Sequence, residues 1–396
     1  MPSTIRHTIL EGFYGTEWSW KQRQQLIDLL ALLPTQNFKL KLGGGASLPL
    51  FSQYCYAPKS DIYLRKSWRL SWPKPAFSSL RALSDYAKAK SIGFAVGFSP
   101  EGLFDEWLND QAKAKLHLIN KCDELRCLNL TMLGLFFDDM PASNPNVAKV
   151  QIEVCAFIQR LLPELSIQMC PSYYSYDDVL PELFGQIPDN YWSDIGEGLC
   201  NNVGLFWTGD KVISSSYSVE SLSDITLSFR RPVTIWDNSC VNDGRLTSNF
   251  LPIKACSSLA LIQKNNCIAS FWLNPSNAFS VAIISLLTAV VQVADSEREA
   301  HDARLQKVLG LIDQRVGELI NEYASDFLVT GLVSISQLKR AELVKRVEDV
   351  QRVIKKESVS KKVQDEAEVY WLNACLLEDI IRWLNGDFAF NPECLT

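Results

Sequence analysis

Eight short runs rich in β-branched, aromatic and aliphatic residues recur along the first three quarters of this chain, and they are spaced so that helices fit between them. They fall at residues 7–15, 53–56, 92–99, 133–138, 166–172, 203–208, 233–237 and 268–273. Between several of them, apolar residues return at helical spacing, at 22–33, 77–90, 112–123 and 146–162. Strand and helix alternating eight times over about 290 residues predict an α/β fold, a (β/α)8 TIM barrel. An open doubly wound sheet would share the alternation, but no glycine-rich phosphate turn follows the first run.

The runs end on polar and aromatic clusters: EGFYG, YAPKSD, GFSPEG, FFDDMP, MCPSYY, FWTGD, IWDN and FWLNP. In a barrel the C-terminal strand ends share one face, and that face carries the chemistry. Eight segments distant in sequence are therefore expected to converge on one mouth.

From about Ala294 the pattern changes. Residues 296–323, 336–356 and 361–384 place apolar side chains at helical spacing beside charged faces. The middle segment sets Leu338, Leu343, Val344, Val347, Val350, Val353 and Ile354 along one broad side. We expect two domains: a catalytic barrel over residues 1–293 and a C-terminal all-α helical domain over 294–396. The helices would either buttress the barrel or form the surface of a homodimer. A chain of 396 residues, 47% of them hydrophobic, can bury both cores.

A net charge of −6 argues against nucleic acid as a partner. No apolar run of signal-peptide length opens the sequence, and the stretch at 281–293 is too short to span a bilayer and holds Ser285, Thr288 and Gln292. A cytoplasmic protein without a membrane partner is expected. The 11 cysteines include no CxxC pair and read as reduced thiols. His7, His117 and His301 lie far apart, so neither a zinc site nor a Ser-His-Asp triad is expected.

Asp138 and Asp139 follow the apolar run LGLFF. Two carboxylates at the end of a buried strand need a purpose, because an unpartnered buried charge is costly. Side chains on a regular strand alternate faces, so both can serve one ligand only where the pleat breaks. Neighbouring carboxylates also resist ionising together, which lets one stay charged while the other holds a proton to donate. Ordinary retaining glycosidases hold acid and nucleophile about 5 Å apart across the bond, which adjacent residues do not readily provide. Substrate-assisted cleavage is different: the sugar's own 2-acetamido oxygen attacks, and the protein supplies one acid and one carboxylate for the acetamido N–H. Downstream, Trp236 can floor a pyranose, with Asn238 and Asp243 for its polar groups.

Taken together, these segments resemble glycoside hydrolase family 84, the β-N-acetylglucosaminidases that include O-GlcNAcases. EGFYGTEW with its following QR, YAPKSD, LFFDDM, MCPSYY, FWTGDKV, IWDNSCVND and LNP stand in the family's order over about residues 8–290. The resemblance implies a retaining exo-β-N-acetylglucosaminidase acting through an oxazoline intermediate on a β-GlcNAc-bearing glycoprotein or glycan, with neither metal nor organic cofactor. It implies that Asp138 orients the acetamido group and stabilises the intermediate, and that Asp139 is general acid and then general base. Tyr174 would hydrogen-bond the acetamido oxygen, Asn238 would position that group, and Trp236 would close its pocket. The Gly12 backbone, Lys59, Asp243 and Asn274 would bind hydroxyls, and Cys170 would lie near the acetamido methyl. Three places depart from the family pattern: Ser60 replaces the first of two aspartates, Glu101 is inserted in the third motif, and residues 37–51 lengthen a connection.

Two other readings use the same residues. One is a sugar-binding module that keeps the pocket without turnover. The other is an unrelated barrel lyase or aldolase, which would need Lys59 as a buried amine of low proton affinity.

Overall fold

The structure, a computed structural model, describes residues 7–35, 51–253, 266–291, 305–360, 370–388, 392 and 394. Eight parallel strands close in sequence order into one barrel. The chain runs β1 (His7–Glu11), α1 (Trp20–Leu32), β2 (Phe51–Tyr56), α2 (Lys74–Ala89) and β3 (Gly93–Phe98). A short helix, α3 (Leu103–Asn109), and a longer one, α4 (Gln111–Leu125), lead to β4 (Met132–Phe136), α5 (Val147–Leu161) and β5 (Ser166–Cys170). After α6 (Val179–Phe184) and α7 (Tyr191–Gly198) come β6 (Gly204–Trp207), α8 (Val219–Phe229), β7 (Val233–Asp237), β8 (Ile268–Leu273) and α9 (Phe279–Val290). The ring closes where Thr8 and Ile9 pair with Trp272 and Leu273.

The strands form where apolar residues run continuously because a parallel barrel buries both faces of each strand. All of GFAVGF in β3 and VTIWD in β7 is buried. Inside the barrel, Phe136 packs 5.0 Å from Trp236, and Phe206 lies 4.8 Å from Trp272, ring centre to ring centre. Gly97 and Gly134 make room for this column, since a Cβ at either would collide with the Phe136 ring. Of these four rings, Trp236 also lines the cavity at the barrel mouth.

Each predicted strand corresponds to an observed one, usually a residue or more shorter at its C-terminal end. The first is the extreme case: it ends at Glu11, and the residues up to Gly15 form a loop. Glu11, fully buried, fixes that loop. It accepts from Trp18 N at 3.3 Å and from Arg23 Nε and Nη2 at 2.9 and 2.7 Å, and the Tyr54 hydroxyl donates to it as well. Ser19 and Gln22 cap α1 reciprocally, so the QR of the opening motif fastens the helix that holds the loop.

The apolar stretch at 281–293 begins inside α9, every residue of which is buried. Among the described residues no helix is long and apolar enough to cross a membrane. Toward the C-terminus follow α10 (Gln314–Ser325), α11 (Gln337–Ser360) and α12 (Tyr370–Asn385). Asp379 on α12 accepts from Ser280 N and Oγ at 2.9 and 2.5 Å, and Trp371 stacks on Phe279, so α12 is seated on the barrel's last helix. On α11, Leu343, Val347, Val350 and Ile354 are buried, but Leu338 is 86% exposed and Val353 41%. The buried four lie at i, i+4, i+7 and i+11, and Leu338 and Val353 stand off that stripe, so the packed face is narrower than predicted. The expected boundary at 293/294 lies outside the described residues.

Candidate active site

The site is assembled on the loops that leave the C-terminal strand ends. β4 stops at Phe136, two residues before the first acid. Asp139 then takes a left-handed backbone conformation, φ +57°, which only a minority of non-glycine residues adopt. That break in the pleat lets both carboxylates line the same cavity. Strain of this kind persists where surrounding contacts hold it. Here the Tyr14 hydroxyl donates to Asp139 Oδ2 and the Tyr174 hydroxyl to Asp139 Oδ1, each at 3.0 Å. The Phe137 N–H also donates to the Cys170 carbonyl at 2.9 Å, fastening the acid loop to β5.

Lys59, from the loop after β2, lies 2.7 Å from Asp138 Oδ2 and 3.6 Å from Asp139 Oδ2. Burial opposes its charge, but Asp138, Tyr14 and Asp139 outweigh that, and its pKa stands above the usual lysine value. A lysine held as ammonium cannot serve as a nucleophilic amine, which removes the basis of the lyase or aldolase reading. Burial, with Asp138 beside it, raises the pKa of Asp139, while Lys59, Tyr174 and Tyr14 pull it down. Asp138 Oδ1 is buried and has no hydrogen-bond partner. An acceptor left in that condition at the wall of a cavity marks a place for a donor from a ligand.

The opposite wall comes from β7, β8 and the loop after β1. Asn238 Oδ1 accepts from Trp236 Nε1 at 2.8 Å and from Asn274 Nδ2 at 2.9 Å, and Asn238 Nδ2 donates to the Val212 carbonyl at 2.9 Å. Asn274 Oδ1 in turn accepts from Gly12 N at 3.1 Å. A Cβ on Gly12 would stand 3.2 Å from the Trp236 ring, a tight contact, so glycine lets the loop after β1 lie close against Trp236. Asp243 accepts from Tyr14 N at 2.6 Å, and burial raises its pKa. Cys170 lies at the end of β5, its thiol pKa raised well above the usual range by burial.

Asp138, Asp139, Gly12, Lys59, Cys170, Tyr174, Trp236, Asn238, Asp243 and Asn274, the ten residues singled out from the sequence, all line one cavity open to solvent. Five further lining residues were not anticipated: Tyr14, Thr208, Val212, Ile213 and Val241. Tyr14 lay inside a recognised cluster, and its hydroxyl contact with Asp139 gives it a direct bearing on the acid. The aliphatic residues carry no signal in sequence that separates them from core.

The departures from the family pattern have local explanations. Inserted Glu101 faces Arg65 at 2.9 Å, and its carbonyl accepts from Trp68 Nε1 and Arg69 Nη1, tying the loop after β3 to the loop after β2. Asp61 accepts from the Tyr56 hydroxyl and Trp72 Nε1, and Ser60 sits exposed at the rim. The stretch at 37–50 lies outside the described residues.

Comparison with known proteins agrees with this geometry. A family model described as beta-N-acetylglucosaminidase matches residues 7–324, about four fifths of the chain. The proteins named Protein O-GlcNAcase of Rattus norvegicus and of Mus musculus are each 28% identical to it over 289 residues. That alignment takes in 71% of this chain and 29% of theirs, so the chain spans under a third of the length of these relatives. Among solved structures, a single-site mutant of the Thermobaculum terrenum O-GlcNAc hydrolase superposes with a TM-score of 0.65 at 20% identity, over 94% of this chain and 82% of that one. At that identity the likeness concerns the fold.

Proposed function

The chain belongs to the β-N-acetylglucosaminidase family, and from that premise we propose that it is a retaining exo-enzyme that removes terminal β-linked N-acetylglucosamine by substrate assistance. The acetamido oxygen attacks the anomeric carbon as the glycosidic C–O bond breaks, and Asp139 gives its proton to the departing oxygen. An oxazoline forms. Water then adds to the anomeric carbon, its proton passes to the Asp139 carboxylate, and two inversions give net retention.

The observation that carries this reading is Asp138 Oδ1, a buried acceptor with no partner beside an acid of raised proton affinity. An acetamido N–H supplies the missing donor, and it becomes more acidic as positive charge develops on the ring it joins. The stabilisation therefore grows toward the transition state, where it accelerates the reaction. Tyr174 faces the acetamido oxygen. Lys59, Asp243 and Asn274 take hydroxyls, and Trp236 with Asn238 and Cys170 encloses the acetamido group. The Gly12 N–H is already engaged by Leu10 O and Asn274 Oδ1, so the backbone group it offers a sugar is its carbonyl.

The substrate class is a glycoprotein or glycan ending in β-linked N-acetylglucosamine. We place the protein in the cytoplasm, which accords with the free thiols of Cys55, Cys122, Cys127, Cys155, Cys170, Cys200 and Cys375. The test is hydrolysis of 4-methylumbelliferyl N-acetyl-β-glucosaminide across pH, with Asp139→Asn beside wild type. A bell-shaped profile that the variant loses supports the reading. A wild type that binds the sugar and never turns it over refutes it.

A further inference from the structure

Asp139 is surrounded by donors on both oxygens. Tyr14, from the loop after β1, donates to Oδ2, and Tyr174, from the loop after β5, donates to Oδ1. Lys59, from the loop after β2, stands 3.6 Å from Oδ2. The other titratable groups facing it are Asp138 and Cys170. An ionised carboxylate only accepts, whereas a carboxylic acid must find an acceptor for its own proton. These donors favour the anion and work against burial and Asp138, which raise the proton affinity of Asp139. A general acid must carry a proton before it can donate one, and withdrawing one of these donors raises its proton affinity further.

A tyrosine hydroxyl has a single proton to give. Tyr174 is 5% exposed, so its ring is packed in place, and its backbone carbonyl accepts from Thr208 N at 3.0 Å; handing over the hydrogen bond then needs only the O–H to turn. We propose that Tyr174 hands its hydrogen bond from Asp139 Oδ1 to the acetamido oxygen of the bound sugar, so that filling the acetamido pocket causes Asp139 to take a proton from solvent and become the acid. This rests on the substrate-assisted reading above and adds to it a coupling between recognition and protonation. Oδ1, released by Tyr174, is the oxygen that receives the proton, and Tyr14 keeps Oδ2 and the orientation of the group. The proton then goes to the leaving oxygen as the glycosidic bond breaks. When the acetamido oxygen is consumed in the oxazoline ring, Tyr174 is free to return to the carboxylate, which is then required as a base. A sugar without the acetamido group leaves the bond in place and the acid unloaded.

Calorimetry in buffers of different ionisation heat counts the protons exchanged on binding. The probe is a hydroximolactone inhibitor carrying a 2-acetamido group, measured from pH 5 to 8 beside its 2-hydroxy analogue. Wild type is expected to take up a large fraction of one proton with the acetamido compound and close to none with the analogue. Tyr174→Phe is expected to bind the acetamido compound with no uptake. In kinetics, the basic limb of wild-type kcat should lie about one pH unit above that of kcat/KM, and the two should coincide in the variant. Binding by wild type without proton uptake at any pH overturns the proposal, and so does equal uptake by Tyr174→Phe or by the 2-hydroxy analogue. Should the variant not fold, the analogue alone decides. Failure of wild type to cleave any aryl N-acetylglucosaminide is a different result, which removes the enzymatic reading itself.

Discussion

Lys59 Nζ meets Asp138 Oδ2 at 2.7 Å, with both side chains more than nine tenths buried. The loop after β2 thus sets one cation against the two acids of the loop after β4. Removing one partner of a buried ion pair leaves an uncompensated charge, at a cost of about 3–5 kcal/mol. Lys59→Met should lower stability by an amount of that order and kcat/KM by ~100-fold or more. It should also move the basic limb of the pH–rate profile upward, because Lys59 is among the groups that hold the proton affinity of Asp139 down. Urea denaturation and kcat/KM against pH measure both effects, and an unmoved basic limb would contradict the placement of Lys59.

Asp139→Asn removes the proton donor while keeping an oxygen for Tyr14 or Tyr174 to face. Its cost should follow the leaving group. Loss on a glycopeptide or alkyl glycoside should reach about 10²–10⁴-fold, the usual worth of general acid catalysis, with much smaller loss on an aryl glycoside that departs without protonation. Equal losses across leaving groups would count against Asp139 as the acid.

The barrel was legible because a parallel strand buried on both faces must be apolar throughout, and β3 and β7 read that way. The acids were legible because two charges at the end of such a strand conflict with burial. What could not be read was conformation that depends on neighbours distant in sequence. Nothing local announces the positive φ of Asp139, which the contacts from Tyr14 and Tyr174 hold in place. Val212, Ile213 and Val241 line the cavity through loop geometry alone. On α11 the periodicity was correct but too generous, since which of its apolar residues are covered depends on where the helix meets its neighbours.

Asp138→Asn should be costly for every leaving group alike. The wild-type side chain offers two acceptors, one engaged by Lys59 and one buried without a hydrogen-bond partner. The amide replaces one of them with a donor, which must face either the lysine ammonium or the incoming N–H. Loss of charge stabilisation at a developing cation is expected to reduce kcat by about 10²–10³-fold. Aryl and alkyl N-acetylglucosaminides measured together test this, and a variant at wild-type rate on either would remove Asp138 from the mechanism.

Asp237 lies between Trp236 and Asn238 and is completely buried. One oxygen accepts from Ser239 N at 2.7 Å, and burial raises its pKa to about 6. An unfolded aspartate titrates near its ordinary value, so between about pH 4 and 6 the folded chain holds a proton that the unfolded chain has released. The stability this group contributes is full below that window and is lost as the pH rises through it. The loss amounts to ~2–3 kcal/mol by pH 7. Asp237→Asn keeps an acceptor for Ser239 N and cannot ionise. Relative to wild type, the variant should therefore gain stability between pH 4 and pH 7, as read from urea midpoints at the two values. A wild-type-to-variant difference that stays constant across that interval would mean that Asp237 does not titrate there, and that the wall carrying Trp236 and Asn238 feels no change of charge over the range in which the enzyme would work.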